Sequence, residues 1–422
     1  GKVLADDEVE IIKRFAKVFD QAYTRFLDLQ KAEAQARESQ IQLAMERVRA
    51  RTMAMQTSED LKDAAALLFQ QVKALGVPAY SCGYNIWEQG EKECDSWMST
   101  HDGNGINPAL KIPLTEDANF IHFVESKKND ESFYVLEMRG ERMQEHYQYL
   151  IKTIPVFKAY FEESVKAGFP MPETQIHHLA NISYGNLMFI TLEPCPELHD
   201  VFKRFAAVFE QTYTRFLDLE RAEAQAREAK IETGLEKARS RTMGMQSSDE
   251  LPEVANVLFL EVQALGIPAW SCGYNILAED KKSAKCWMSS EGTLQTPFNL
   301  RFFGEASFDE MGGFLQSEKT MLVQELGDKA LVEHYAYMKS FPDLKPTFDQ
   351  IDELGLSLPT YQINHLCKFT QGFLLFITYE KVPDAHEIFK RFTKVFEQTY
   401  TRFLDLQKAE AQAVQAEEDL LK

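Results

Sequence analysis

The chain has 422 residues, 45% of them hydrophobic and 12% aromatic, enough for two or three domains with sizeable cores. A net charge of −19 and a pI near 5.0 argue against nucleic acid and anionic membrane surfaces as partners, since both select for clustered Lys and Arg. No run of 18 apolar residues exists, the acidic opening GKVLADDEVE lacks the apolar core of a signal peptide, and six scattered cysteines without a CxxC pair fit a reduced, cytoplasmic setting.

The chain opens on Gly rather than Met, so the natural polypeptide is expected to extend further. One stretch organises the rest. Residues 201–245 (VFKRFAAVFEQTYTRFLDLERAEAQAREAK…RTMGM) recur at 11–55 and again, in part, from Ile388 to the C-terminus. Two segments that resemble each other lie between the copies. The expected plan is a helix (1–55), a domain (56–198), a connecting helix (199–245), a second domain (246–385) and a last helix (386–422).

In the first helix, Phe15, Phe19, Ala22, Phe26 and Leu29 are spaced 4, 3, 4, 3, as in a coiled-coil seam. Ile41, Met45, Val48, Thr52 and Met55 form a second seam in a different frame. The small, charged stretch between them continues the helix but pins its register weakly. This predicts a parallel coiled-coil homodimer, either as a rigid spacer or as a signalling helix whose register shifts.

Each domain then repeats one order of elements. Ser58, Glu59 and Asp60 predict a helix start and Gly76 its end. AYSCGYNIWE (79–88) and CDSWMST (94–100) read as paired strands with a turn at Gly90, Glu91 and Lys92. KIPL (111–114) reads as a short strand, DANFIHFVESKKND as a helix and SFYVLEM as a strand. Two amphipathic helices divide near Pro155. TQIHHLANI and NLMFITLE form a hairpin with its turn at Tyr184-Gly185, matched by Gln371-Gly372 in the second copy. The fold class is therefore α+β: antiparallel sheets covered by helices, flanked by long coiled-coil helices.

The order of elements resembles the GAF domain, and ERVRARTMAMQTSEDLKDAAALLF with EKARSRTMGMQSSDELPEVANVLF resembles the helix-to-domain junctions of bacterial multidomain sensor histidine kinases. The resemblance implies a dimeric, cytoplasmic tandem of sensory domains that binds a small ligand or partner and relays the event along helices to an output such as a kinase. The chain carries neither the phospho-accepting histidine box nor the ATP-binding boxes of such kinases, so no catalytic domain is expected in it. It also lacks the Asn-Lys-Phe-Asp-Glu signature of cyclic-nucleotide-binding GAF domains and the Cys-His context of bilin-binding ones.

In a GAF-like fold the central strands and the mixed middle line a pocket. The resemblance therefore nominates Cys82, Tyr84, Trp97, His146, Tyr149 and His178 in the first domain, and Cys272, Tyr274, Trp287, His334, Tyr337 and His365 in the second. Each has a plainer reading. A strand cysteine is first a small buried hydrophobe, a helix histidine is first a hydrogen-bonded one, and Trp97 and Trp287 are first core. His177 and His178 point to opposite faces of one strand, and only His178 has a histidine counterpart. His146 with His178 lacks a third ligand for a metal. The sequence names no cofactor. Enzyme motifs (GxSxG, Walker loop, HExxH, GxGxxG) are absent, and Gly312-Gly313 reads as a turn. The alternative function is a structural spacer or scaffold. A scaffold should pack Trp97 and Trp287 solidly, whereas a sensor should leave a cavity beside them.

Overall fold

A computed structural model describes residues 6–87, 92–106, 108–168, 170, 172–353 and 358–420. The chain divides into two compact units, Gly1–Arg221 and Ala222–Lys422.

In the first unit, α1 (Asp6–Met53) is a single helix of 48 residues. It ends at the RTMxM junction for local reasons. The Arg51 guanidinium bridges to Asp63 at 2.8 Å and Asp60 at 3.5 Å. Asp60 accepts from the Gln56 and Thr57 amides, which caps one 3-10 turn before α2 (Leu61–Ala74). The distinctive junction is thus a helix stop, a bend and a helix start. Gly76, with φ +77°, ends α2 in the left-handed region.

The strands are β1 (Ala79–Trp87), β2 (Glu93–Met98), β3 (Leu110–Pro113), β4 (Phe133–Arg139), β5 (Thr174–Ile182) and β6 (Gly185–Thr191). Between them lie α3 (Ala118–Lys128), α4 (Gly140–Thr153) and α5 (Pro155–Lys166), and α6 (His199–Met243) follows. The sheet order is β3-β2-β1-β6-β5-β4, antiparallel throughout. Of the turn expected at Gly90, Glu91 and Lys92, the first two residues lie outside the described residues. The β5–β6 turn is Ser183-Tyr184, one residue earlier than expected. Gly185 closes it because a Cβ there would strike the Asn85 carbonyl.

Both faces of the sheet are buried. Cys82, Tyr84, Trp97, Leu187 and Phe189 pack beneath the second half of α1, α2 and the first half of α6. Met98, Ile112, Leu179, Met188 and Ile190 face α3, α4 and α5. At about 25 cal/mol per Å², each large side chain so buried contributes on the order of 2 kcal/mol.

The second unit repeats this plan. It has α7 (Leu251–Ala264), β7 (Ala269–Leu277), β8 (Ser283–Ser290), β9 (Thr293–Leu294), β10 (Phe298–Arg301), α8 (Ala306–Gln316) and β11 (Met321–Gly327). Then come α9 (Asp328–Met338), α10 (Lys345–Glu353), β12 (Tyr361–Phe369), β13 (Gly372–Thr378) and α11 (His386–Leu420). The order is β10-β8-β7-β13-β12-β11, with β9 beside β8. The β12–β13 turn is Thr370-Gln371, again one residue earlier than expected. Gly312-Gly313 is not a turn but lies inside α8, where a Cβ on Gly312 would come 2.5 Å from the Phe302 carbonyl. The pair lets a helix approach a strand closely.

The seams have a different use from the one their spacing predicts. Phe205, Phe209 and Phe216, the repeat counterparts of Phe15, Phe19 and Phe26, are buried on the sheet of their own unit. Phe392, Phe396 and Phe403 do the same in the second unit. Ile41, Met45, Val48, Thr52 and Met55 are buried too, as are Ile231, Leu235, Ala238, Thr242 and Met245. Period alone does not distinguish a seam for a partner helix from a face for a sheet.

Candidate functional site

The cavity in the first unit lies on the sheet face away from α1, α2 and α6. It measures about 100 Å³. Strand residues Ser81, Ser96, Met98, His177, Met188 and Ile190 make its floor, and Phe120, His146, Tyr147, Leu150, Phe157 and Tyr160 close it from the helices. The second unit has an equivalent cavity of about 110 Å³, with Met288, Asn364 and Ile377 in the floor and Phe308, His334, Tyr335 and Phe348 above.

Two polar assemblies recur. Asp117 caps α3 by accepting from the Asn119 and Phe120 amides at 2.9 and 3.2 Å, and its other oxygen meets His146 Nδ1 at 3.2 Å. Burial pushes the Asp117 carboxyl up, but His146 and the two amides outweigh it and hold the group below its usual range. In the second unit Glu305 caps α8 and meets His334 Nδ1 at 3.3 Å, and its carboxyl is held low by the same balance. A capping acid therefore fixes the cavity histidine and ties two roof helices together.

The other assembly runs along the floor. Gln175 donates to the Tyr147 hydroxyl at 2.7 Å and meets His177 Nε2 at 3.0 Å. His177 is buried, and burial, with His146 nearby, pushes its pKa well below the ordinary value, so the ring is neutral. Its Nδ1 has no partner, nor has the Ser96 hydroxyl beside it in the wall. In the second unit Tyr335 donates to Gln362 at 2.6 Å and Gln362 donates to Asn364 at 2.9 Å. There Asn364 replaces His177, Cys286 replaces Ser96 and Trp270 replaces Tyr80. The Trp270 indole N–H and the Asn275 carbonyl oxygen are the unpartnered atoms of that wall. Unpartnered polar atoms in an apolar cavity are costly, and a bound molecule that pairs with them removes the cost.

The nominated residues divide. His146 and His334 line the cavities. Cys82, Tyr84 and Trp97 lie on the opposite face of the sheet, as do Cys272, Tyr274 and Trp287. Burial pushes the Cys82 and Cys272 thiols up, away from reactive thiolates. Tyr84 stacks on Phe209 at 4.1 Å and Tyr274 on Phe396 at 3.8 Å. His178 also faces the helices, bonded to Thr191 at 2.9 Å and packed on Phe202; His365 repeats this with Thr378 and Phe389. Tyr149 and Tyr337 lie beside the cavities rather than in their walls. The Tyr149 hydroxyl donates to Glu116 and that of Tyr337 to the Phe303 carbonyl. The two tryptophans pack solidly, yet each unit has its cavity on the other side, beside Met98 and Met288, so their packing does not separate sensor from scaffold.

Residues missed by sequence reasoning are Asp117, Tyr147, Gln175 and His177 with Glu305, Tyr335, Gln362 and Asn364. The retained Gln175/Gln362 and Tyr147/Tyr335 pairs were the available signal. Among the described residues, no three His, Cys, Asp or Glu side chains converge as a metal site requires.

No family model and no curated protein matches the chain. Among solved structures, a bacteriophytochrome from the photosynthetic bacterium R. palustris is similar at 10% identity and a TM-score of 0.30, over 80% of this chain and 63% of that one.

Proposed function

We propose that the chain is a sensory module in which each unit binds a small molecule in its cavity and passes the event to its flanking helices, toward an output such as a histidine kinase. One observation carries the reading: both units keep an apolar cavity at the same place, each walled by a fixed histidine and by buried polar atoms without partners. A cavity near 150 Å³ holds benzene, so about 100 Å³ suits a molecule no larger than a single ring. The change from His177 to Asn364 and from Ser96 to Cys286 supports different ligands for the two units, the first carrying more hydrogen-bonding groups.

A route to the helices exists within β5. His177 faces the cavity, and His178, next in the chain, packs on Phe202 of α6. A ligand that moves one ring alters the seat of the other. Transmission needs a ligand with different affinity for the two helix arrangements. The predicted parallel dimer would use helix surface left open around residues 29–40 and 219–230, because the seam residues of α6 and α11 are buried in their own units.

The test is native mass spectrometry of the 48.5 kDa chain with and without Met98→Trp and Met288→Trp, which fill the cavities. A retained adduct that both fillings abolish supports the sensor. If no adduct appears, and phenol, indole and imidazole leave both thermal transitions unmoved, the scaffold reading wins.

A further inference from the structure

The first half of α1 displays the most apolar exposed surface of the first unit. Ile12, Phe15, Phe19, Tyr23 and Phe26 are all exposed, Phe15 and Phe19 at 73% and 69%. Residues 11–29 differ from 201–219 at only five positions (201, 202, 207, 210 and 212). The same side chains in α6, Phe202, Phe205, Phe209, Tyr213 and Phe216, are buried against the sheet of the first unit, and Phe389, Phe392, Phe396, Tyr400 and Phe403 of α11 against that of the second. The pattern is that of a sheet cover, not a two-helix seam. The tyrosine is buried in both covering copies, while Leu219 and Leu406, which a seam would need, are more than half exposed.

The polar residues agree. Arg204 reaches Glu38 in the preceding helix, and Arg391 reaches Glu228 and Glu232. Their counterpart Arg14 pairs with Glu10, one turn back in its own helix. Glu210 accepts from the backbone and hydroxyl of Ser183, and Glu397 from those of Thr370, so each acid locks the turn of the hairpin just before it. The counterpart Asp20 is exposed. In both units the cover follows its hairpin closely: β6 ends at Thr191 and α6 starts at His199; β13 ends at Thr378 and α11 starts at His386. Such a short connection makes the docking intramolecular and strongly favoured over a competing helix from another molecule. A second copy of this chain has no bare sheet to offer, because α6 and α11 already cover both.

We propose that the Ile12, Phe15, Phe19, Tyr23 and Phe26 face of α1 is the closing cover of a further unit of this kind, docking on a six-stranded antiparallel sheet that precedes α1 in the same polypeptide. Arg14 and Asp20 then make the contacts of Arg204 and Glu210. The inference is independent of what the cavities bind.

All six native cysteines are buried, so an added surface thiol reports alone. Ala22→Cys places one where α6 has the buried Thr212 and α11 the buried Thr399. In the 422-residue chain this thiol should react with Ellman's reagent as a free thiol does. In a longer chain, with residues 30–200 duplicated directly ahead of Ile11, it should react about 100-fold more slowly, since only local opening exposes it. Phe15→Glu with Phe19→Glu should abolish that protection and leave the two original units' melting unchanged. Equal reactivity in both chains overturns the proposal. So does protection in the 422-residue chain that grows with protein concentration, which would make a second copy the occupant. A companion variant needs no added unit: Val201→Ile, Phe202→Ile, Ala207→Lys, Glu210→Asp and Thr212→Ala write the α1 face into α6. The first unit should remain folded, and its unfolding would also overturn the proposal.

Discussion

Phe19, Phe209 and Phe396 occupy one position of the repeat in three environments, and truncating each to alanine separates sequence from setting. Phe209 is fully buried, stacked on Tyr84 with centroids 4.1 Å apart and on Tyr213 at 5.1 Å. Phe396 is 2% exposed and stacks on Tyr274 and Tyr400. Removing such a ring costs its transfer energy plus the cavity left behind, about 3–5 kcal/mol. Phe19 is open to solvent, so Phe19→Ala should fall within about 0.5 kcal/mol of zero and may be read as slightly stabilising where alanine's better helix propensity shows. Urea denaturation followed by tryptophan fluorescence, with Trp87 and Trp97 reporting on one unit and Trp270 and Trp287 on the other, assigns each loss to its transition. Phe209→Ala should lower the first transition only, and Phe396→Ala the second only. A loss above about 1 kcal/mol for Phe19→Ala, or below that for Phe209→Ala, would refute the sheet-cover reading of the repeat.

Other consequences follow from particular contacts. Burial, with His199 and His386 as like-charged neighbours, lowers the pKa of His178 and His365 to about 4. The unfolded chain therefore takes up these protons first, so the contribution to stability is complete above pH ~6.5 and lost as pH falls toward 4, by about 3 kcal/mol per histidine; His178→Gln should flatten this acid slope for the first unit in pH-dependent melts. Gly83→Ala should cost at least about 3 kcal/mol, because a Cβ there collides with the Trp97 carbonyl and backbone cannot move aside cheaply; a melting temperature within two or three degrees of wild type would contradict the strand spacing. His177→Asn installs the arrangement of the second unit, where Gln362 donates to Asn364. It should change stability by less than about 1.5 kcal/mol and remove any adduct that native mass spectrometry assigns to the first unit; an unchanged adduct would take His177 out of the site.

The repeat, the strands and the helix starts were legible because they rest on local chemistry. Thr57 with Asp60 and Ser247 with Glu250 form capping boxes wherever they occur, and alternating aromatic runs bounded by turns make strands. Identity between 11–29 and 201–219 likewise declared one amphipathic helix used three times. What covers that helix was not legible, since a stripe spaced 4, 3, 4, 3 fits a partner helix and a sheet equally well. Nor was the cavity side. Every residue of β6 is buried, and β5 alternates hardly at all, so period 2 sorts Cys82 and Tyr84 from Ser81, and His178 from His177, without saying which set meets the cavity. The chain by itself determined the elements and their repetition. Only tertiary packing decided that α1, α2 and α6 take one face, leaving the other, with its capping acid, fixed histidine and unpartnered His177 nitrogen, to enclose a site, because a sheet buried on both sides carries no hydrophobic alternation to mark its faces.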